Sequence, residues 1–139
     1  MLRLVLVPVL AARAAAIVMV AVGAFQVALV FGAPWGAYTQ GGGTEGALDT
    51  SGRVVAAISC AILLVMAAAI LARVREGPLK GAPGKLVTAL AWFTTIYAAV
   101  AVVFNLATRS SSERAVFAPT AILLFVLVVT VMVGSRRAQ

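Results

Sequence analysis

Four long apolar segments without a charged side chain constrain this chain more than any other feature of its sequence. They are Ala14–Phe31, Val54–Ala72, Leu86–Ala107 and Ala115–Val133. A helix of about 20 apolar residues crosses the hydrocarbon core of a bilayer. Hydrophobic residues make up 63% of the 139-residue chain and charged residues 11%, against about 45–50% and about 25% in soluble domains. The sequence therefore predicts one all-α integral membrane domain, a bundle of four transmembrane helices.

Local signals mark where these helices begin and end. Gly32 follows the first segment and Gly134 the fourth, where glycine suits the end of a helix. Residues 49–51 are Asp, Thr and Ser, three candidate N-caps for the second helix. Ser110 and Glu113 have the spacing of a capping box, which predicts the start of the fourth. The connections are two outer loops, residues 32–53 and 108–114, and one inner loop, residues 73–85.

The segment Leu2–Ala12 lies before the first predicted span. Its charged start and short apolar run resemble a signal peptide, yet Arg13 closes the run and a full-length span follows at once. We expect an interfacial lead-in with its helix interrupted at Pro8, and a cleaved signal is the alternative.

The basic residues divide unequally between the two ends of such a bundle. One end carries Arg3, Arg13, Arg73, Arg75, Lys80, Lys85, Arg136 and Arg137, and the other carries Arg53, Arg109 and Arg114. Because basic residues are retained on the inner side, we expect both termini and the 73–85 loop to be cytoplasmic, in a plasma membrane. The net charge of +7 then faces the anionic inner leaflet, so it does not indicate a nucleic-acid partner.

The chain contains no histidine and one cysteine, Cys60. Zinc, copper, haem and iron–sulfur centres take most of their ligands from these two residue types, and a disulfide needs two thiols. We therefore expect no metal, no cofactor and no internal disulfide.

Polar residues inside predicted spans cost free energy unless they are satisfied. Gln26 and Tyr97 lie at similar depths, roughly 16–18 Å from the cytoplasmic end at 1.5 Å per residue, and a hydrogen bond joins them if the first and third helices touch. Thr94, Tyr97 and Asn105 share one face of the third helix with Ala101. This face is either an internal packing seam or the wall of a cavity that opens outward near Asn105.

Small residues recur at four-residue spacing, a pattern that allows close approach of membrane helices. Ala24, Ala28 and Gly32 form one such stripe, and Ala57 and Ala61 form another. Both stripes are predicted contact faces.

The outer loops gather the candidate ligand-binding side chains. These are Trp35, Tyr38, Arg53, Asn105, Arg109, Glu113 and Arg114. The aromatic pair suits an interfacial belt, and the balanced charges either pair with each other, as Arg53 with Glu113, or bind a lipid head group. No nucleophile is positioned beside a base, so no catalytic residue is assigned.

Two short motifs carry a family resemblance. The first is "GAPWG", Gly32–Gly36, followed by Gly41, Gly42, Gly46, Leu48 and Arg53. The second is N-x-x-T-x-S-x-x-E-R, formed by Asn105, Thr108, Ser110, Glu113 and Arg114, and followed by Ala118 and Pro119. The chain resembles a group of small, mostly uncharacterised bacterial, actinobacterial-like, membrane proteins with four predicted helices. The resemblance implies that the two outer loops form a unit, and it supplies no catalytic residues.

Three functions remain open at this point. The favoured hypothesis is a non-enzymatic protein that binds a membrane lipid, a partner subunit or a second copy of itself through its outer loops. The second is an oligomeric transporter or channel lined by Gln26, Tyr97 and Asn105. The third is an enzyme acting on a lipid or isoprenoid head group. The segment Phe31–Gly43 is interpreted as a helix stop, an aromatic anchor and a flexible glycine run, or as a loop folded over the bundle mouth.

Overall fold

The computed structural model describes the chain over residues 2–137 and its side chains over residues 6–135. It contains four α-helices, α1 Leu2–Val30, α2 Thr50–Arg73, α3 Gly84–Ala107 and α4 Ser111–Arg137. Two short 3₁₀ turns, Gly36–Tyr38 and Gln40–Gly42, lie between α1 and α2. All four α-helices contain a stretch long and apolar enough to cross a membrane. The prediction of an all-helical chain with four helices long and apolar enough to span a membrane is confirmed.

The helices form a four-membered ring. Helix α1 packs against α2 and α4, and α3 packs against α4 and α2, so α1 and α3 stand diagonally across the bundle. The connections 31–49 and 108–110 meet at one end, called the loop end below. The α2–α3 connection, the start of α1 and the end of α4 lie at the opposite end, called the terminus end.

The centre of the bundle is packed mainly with alanine, methionine and aliphatic side chains. Ala12, Ala15, Met19, Met66 and Val128 have no exposed surface and belong to one continuous cluster. The outward faces carry large apolar residues instead, with Ile17 69% and Phe104 71% exposed. A small core inside a broad apolar exterior suits a bundle solvated by lipid.

The predicted small-residue stripes do not mark the contact faces. Ala24, Ala57 and Ala61 are exposed, whereas the buried residues of α1 include Ala12 and Ala15. Alanine is so frequent in these helices that its four-residue spacing occurs on several faces. Which face packs depends on the neighbouring helices.

Both ends of the chain are more helical than the sequence predicts. Helix α1 runs without interruption through Pro8, and α4 continues past Gly134 to Arg137. Pro8 and Gly134 lie in contact with each other: a Cβ added to Gly134 would lie 2.9 Å from the Cβ of buried Pro8. The interrupted lead-in and the stop at Gly134 were wrong. Proline and glycine both disfavour the interior of a helix. In α1 and α4 the packing between the two helices outweighs that local preference.

Candidate functional site

The 31–49 connection begins with a Schellman motif at the end of α1. The amide of Gly32 donates to the carbonyl of Leu29 at 3.0 Å, and the amide of Ala33 donates to that of Ala28 at 2.9 Å. Gly32 has a φ of 94°, a left-handed conformation that glycine adopts without steric cost. The predicted helix end at Gly32 is confirmed.

The rest of this connection folds into a compact structure. The Gly36 amide donates to the carbonyl of Gly46 at 2.8 Å, which closes the segment 36–46 into a loop. A Cβ on Gly36 would lie 2.5 Å from the carbonyl oxygen of Thr44, so the two backbone segments approach too closely for any other residue. Trp35 stacks on Phe25 of α1, with ring centroids 5.8 Å apart, and this anchors the connection to the bundle.

The two loop-end connections dock against each other. The Ser110 hydroxyl donates to the carbonyl of Ala37 at 2.7 Å, and the Gly41 amide donates to Glu113 Oε2 at 3.1 Å. Gly42 packs directly on Ser110, and a Cβ there would collide with that side chain. The glycine run is therefore docked, and the view of it as only a flexible run was wrong.

Glu113 adopts a different role from the one its spacing predicts. Ser110 Oγ does accept the Glu113 amide at 3.1 Å and caps α4. The Glu113 carboxylate does not return to the Ser110 amide. It accepts the Thr108 hydroxyl at 2.7 Å on Oε2, the oxygen that also binds the Gly41 amide. Within residues 6–135 no hydrogen bond is made to Oε1, so one carboxylate oxygen is free for a ligand.

Asp49 caps the first turn of α2, and the 31–49 connection is bonded to the same turn. Its Oδ1 accepts the Gly52 amide at 2.8 Å, and both oxygens accept the Ser51 hydroxyl. The hydrogen bond from the Gly52 amide is the main cause, and that from the Ser51 hydroxyl the second, that lowers the pKa of Asp49 below its ordinary value. The Gln40 amide group donates to the carbonyl of Gly52 at 2.9 Å, which ties the second 3₁₀ turn to the first turn of α2.

Beneath the docked loops lies a cavity of about 230 Å³. Every helix and the first loop contribute to its wall. Its polar lining residues are Gln26, Tyr38, Thr39, Ser59, Tyr97, Asn105, Glu113 and Thr120, and its apolar ones are Val22, Leu63, Ala101, Phe117, Ala121 and Leu124. Glu113 is the one charged residue among them, so the cavity is polar and mildly acidic.

Gln26 and Tyr97 face this cavity from opposite sides of the ring. No hydrogen bond joins them within the described side chains, because the diagonal placement of α1 and α3 keeps the helices apart. The condition set for a Gln26–Tyr97 hydrogen bond, contact between the first and third helices, is therefore not met. The polar residues predicted to share one face of the third helix do not all line the cavity. Tyr97 and Asn105 line the cavity, whereas Thr94 is fully buried and donates to the carbonyl of Leu90 at 2.8 Å.

A second cavity of about 490 Å³ adjoins the first at the loop end. Its lining residues are Gln40, Gly41, Phe104, Asn105, Ala107, Thr108 and Glu113. Asn105 and Glu113 line both cavities and stand between them. Asn105 donates to the carbonyl of Ala101 at 2.8 Å through Nδ2, which leaves its side-chain oxygen as an acceptor.

No family model, curated protein or solved structure matches this chain. What the site does must therefore be argued from its own residues.

The remaining predicted site residues lie outside both cavities. Arg53 donates through Nε to the carbonyl of Leu48 at 3.0 Å and lies against Gly32. Arg114 donates to the carbonyl of Thr108 at 2.9 Å, and Arg109 is exposed. Among the described side chains Arg53 and Glu113 form no ion pair, so that suggested pairing was wrong. Arg53 and Arg114 bind backbone carbonyls at the rim, and none of the residues lining the two cavities is a cation.

Sequence reasoning missed four of the polar and aromatic wall residues. They are Thr39, Ser59, Phe117 and Thr120. The spacing along α4 could have indicated Phe117 and Thr120, since they follow Glu113 at i+4 and i+7 and so lie on the same helix face. Ser59 looked like a small residue in an apolar run, and its hydroxyl is bonded to the carbonyl of Val55 at 2.8 Å.

The described part of the chain, residues 2–137, brings no three residues of the His, Cys, Asp and Glu types together as a metal site. Cys60 is a partly exposed free thiol, and Gly23 lies next to it, where an added Cβ would be 3.7 Å from Sγ.

Proposed function

We propose that this protein binds a membrane lipid at its loop end, with the polar head group in the Glu113 cavity. The observation that carries the proposal is a cavity with eight polar side chains, one of them the Glu113 carboxylate, in the interior of an apolar bundle. Polar groups at such depth are costly and are commonly functional. Helix packing alone does not require them.

The size of the cavity favours a head group over a whole lipid. Small-molecule pockets are usually about 300–1,000 Å³, and this one is about 230 Å³. Its neighbour, lined by Phe104 and Ala107, offers a further 490 Å³. Phe104 is 71% exposed on the outer surface of α3, so acyl chains can remain in the bilayer beside it.

The charge of the cavity selects the head group. Glu113 Oε1 accepts no hydrogen bond within the described side chains, and no cation lines the wall. An anionic phosphate would meet a carboxylate there, whereas an ammonium or hydroxyl group would donate to it. The head group proposed is therefore ammonium-bearing, as in phosphatidylethanolamine, or neutral and hydroxylated, as in a glycolipid.

The proposal includes a membrane and an orientation. The uneven distribution of basic residues favours a cytoplasmic terminus end and an extracytoplasmic loop end in a bacterial plasma membrane. The site then opens to the outer leaflet. Membership of the bacterial family that the two loop motifs resemble belongs to the same proposal, since the docking of those motifs supports their acting as a unit.

A transporter or channel is the second candidate. The two cavities share Asn105 and Glu113, which makes a polar route from the loop end as far as Gln26 and Tyr97. Below that level Met19, Met66 and Val128 are fully buried and fill the centre of the bundle. A path through one copy would require that core to separate, which favours binding over transport.

An enzymatic role for the site would depend on Glu113. The other loop-end carboxylates, Glu45 and Asp49, do not line either cavity. General acid–base chemistry on a head group would have to proceed through one carboxylate and the hydroxyls around it.

Native mass spectrometry of the protein released from its own membrane tests the proposal. We expect one retained lipid per chain. Tyr97→Phe and Glu113→Gln should reduce its occupancy, the second by roughly tenfold or more, since a hydrogen bond to a charged group contributes about 1.5–3 kcal/mol. Glu45→Gln, the same change at an exposed carboxylate of the loop end, is the matched control.

Three results would argue against lipid binding in the Glu113 cavity. Equal lipid retention by the wild type, Glu113→Gln and Glu45→Gln proteins would exclude the cavity as the binding site. A lipid-free oligomer, or a retained protein subunit, would favour the transporter or a subunit interface. Flux measurements on Gln26→Leu in proteoliposomes would then distinguish these two.

A further inference from the structure

A third cavity, of about 740 Å³, lies at the terminus end. It is formed by the end of α2, the 74–83 connection and the start of α3. Its lining residues include Arg73, Arg75, Lys80, Lys85 and Thr88. Four of these residues are cationic and none is acidic.

Arg73 is held in place by neutral partners. Its Nε and Nη2 donate to the Ser135 hydroxyl of α4 at 3.2 and 2.8 Å. Its Nη1 donates to the Thr88 hydroxyl of α3 at 3.2 Å. Three helices thus fix one half-buried guanidinium, and no carboxylate among the described side chains neutralises it. A preorganised guanidinium loses little conformational freedom when it binds an oxyanion.

Glu76, the acidic residue of the α2–α3 connection, is already paired with Arg13. Glu76 accepts two hydrogen bonds from Arg13, from Nε at 3.0 Å and from Nη2 at 2.6 Å. The Arg13 hydrogen bond is the main cause that lowers the pKa of Glu76 below its ordinary value, so Glu76 stays ionised and paired. This bidentate pair leaves the four cations of the cavity without a counterion within residues 6–135.

The backbone gives this group of cations a defined arrangement. Arg75 takes a left-handed conformation with a φ of 63°. Its amide donates to the carbonyl of Ala72, and the next amide donates to that of Leu71, both at 3.0 Å. The α2 helix therefore ends in a tight turn at a residue that is not glycine. Helix α3 starts after Pro83 without a side-chain cap, and its positive end adds to the field of the cations.

From these observations we infer that the Arg73 cavity binds a phosphate group. At a bilayer edge that phosphate comes either from the head group of an anionic phospholipid or from solution. Arg73 supplies a fixed fork of donors, while Arg75, Lys80 and Lys85 add charge around it. This site is independent of the Glu113 cavity, which lies at the other end of the bundle and has the opposite charge.

Binding to lipid nanodiscs tests the inference. We expect the intact protein to retain phosphatidylglycerol in preference to phosphatidylcholine, as measured by native mass spectrometry after extraction. The double variant Lys80→Gln/Lys85→Gln removes two exposed lining cations without touching the hydrogen bonds of Arg73. It should lose roughly tenfold or more in phosphatidylglycerol binding, because each basic residue near the surface contributes about 1 kcal/mol.

Single variants provide the matched comparison. Lys80→Gln and Lys85→Gln should each weaken binding, whereas Arg109→Gln, an equal change of charge at the loop end, should not. Arg73→Lys keeps the charge and loses the planar fork, so it should also bind less phosphatidylglycerol.

Competition with inorganic phosphate distinguishes the two sources. Displacement of the lipid by millimolar phosphate would show that dissolved phosphate also enters, and resistance to it would show preference for the lipid. Either result supports a phosphate site. Equal retention of phosphatidylglycerol by the wild type and the double variant, or no preference over phosphatidylcholine, would overturn the inference.

Discussion

The Glu113 carboxylate accepts a hydrogen bond from the backbone amide of Gly41, 72 residues earlier in the chain, at 3.1 Å. The same oxygen accepts the Thr108 hydroxyl at 2.7 Å. One side chain therefore joins the two loop-end connections, and it also lines both cavities beneath and beside them. Changes at Glu113 should affect loop docking and ligand binding together, and the choice of substitution separates the two.

Glu113→Ala should destabilise the folded protein by about 1–3 kcal/mol, because the Gly41 amide and the Thr108 hydroxyl lose their acceptor. Glu113→Gln keeps an acceptor oxygen and should unfold close to the wild-type temperature. Thermal unfolding in detergent measures both, and Glu45→Ala, at the same end of the bundle, serves as the control. A Glu113→Ala protein as stable as the control would show that the docking contact contributes nothing.

Gly36→Ala should destabilise the loop end, since the added Cβ would lie 2.5 Å from the Thr44 carbonyl oxygen. Overpacking of this kind typically costs about 1–3 kcal/mol. Gly43→Ala is the matched control, because Gly43 has a φ of −73° and nothing within 4 Å of its added Cβ. Proteolysis in the 31–49 connection reports the loss of docking. Equal protection of the two variants would contradict the close approach.

Gly134→Ala should weaken the contact between α4 and α1, where the added Cβ would lie 2.9 Å from the Cβ of Pro8. In a Pro8→Ala background the same change should cost less, since the Cγ atom of Pro8, which would also lie 2.9 Å from the added Cβ, is gone. A double-mutant cycle in thermal stability measures this coupling. Additive effects would show that the two residues do not restrict each other. Gly81→Ala, at a position with open space, controls for the general effect of adding a methyl group.

Acid should weaken the Arg13–Glu76 pair. Because the pKa of Glu76 is lowered in the folded protein, the folded state binds a proton at this carboxyl less readily than the unfolded state, and the pair stabilises the fold at neutral pH. That contribution is complete above the ordinary carboxyl pKa of about 4 and is lost as the pH falls further. Unfolding temperatures recorded between pH 7 and pH 3 should fall less steeply for Glu76→Gln than for the wild type. A Glu45→Gln protein should keep the wild-type slope, and identical slopes for all three would contradict the prediction.

Thiol labelling tests the proposed orientation. In a Cys60→Ala background, Glu45→Cys should react with a membrane-impermeant maleimide in intact cells. Pro78→Cys, in the α2–α3 connection, should react only after the membrane is opened. The reverse pattern would place the terminus end outside and would contradict the distribution of basic residues.

Properties that depend on neighbouring residues in the chain were accessible from the sequence. Span length and hydropathy determine which segments are helices long enough to cross a membrane. Gly32 ends α1, Asp49 caps α2 and Ser110 caps α4 because each acts on backbone groups within a few residues. These features need no knowledge of the other helices, which is why the four-helix architecture follows from composition and spacing.

Tertiary structure decided which side chains meet. The diagonal placement of α1 and α3 separates Gln26 from Tyr97 and leaves a cavity where a hydrogen bond was expected. Contact with Gly134 keeps α1 helical through Pro8, against the local preference. The partner of Glu113 is an amide 72 residues away, and spacing along one helix carries no information about such a contact. Faces and partners depend on how whole helices pack, so only the folded bundle determines them.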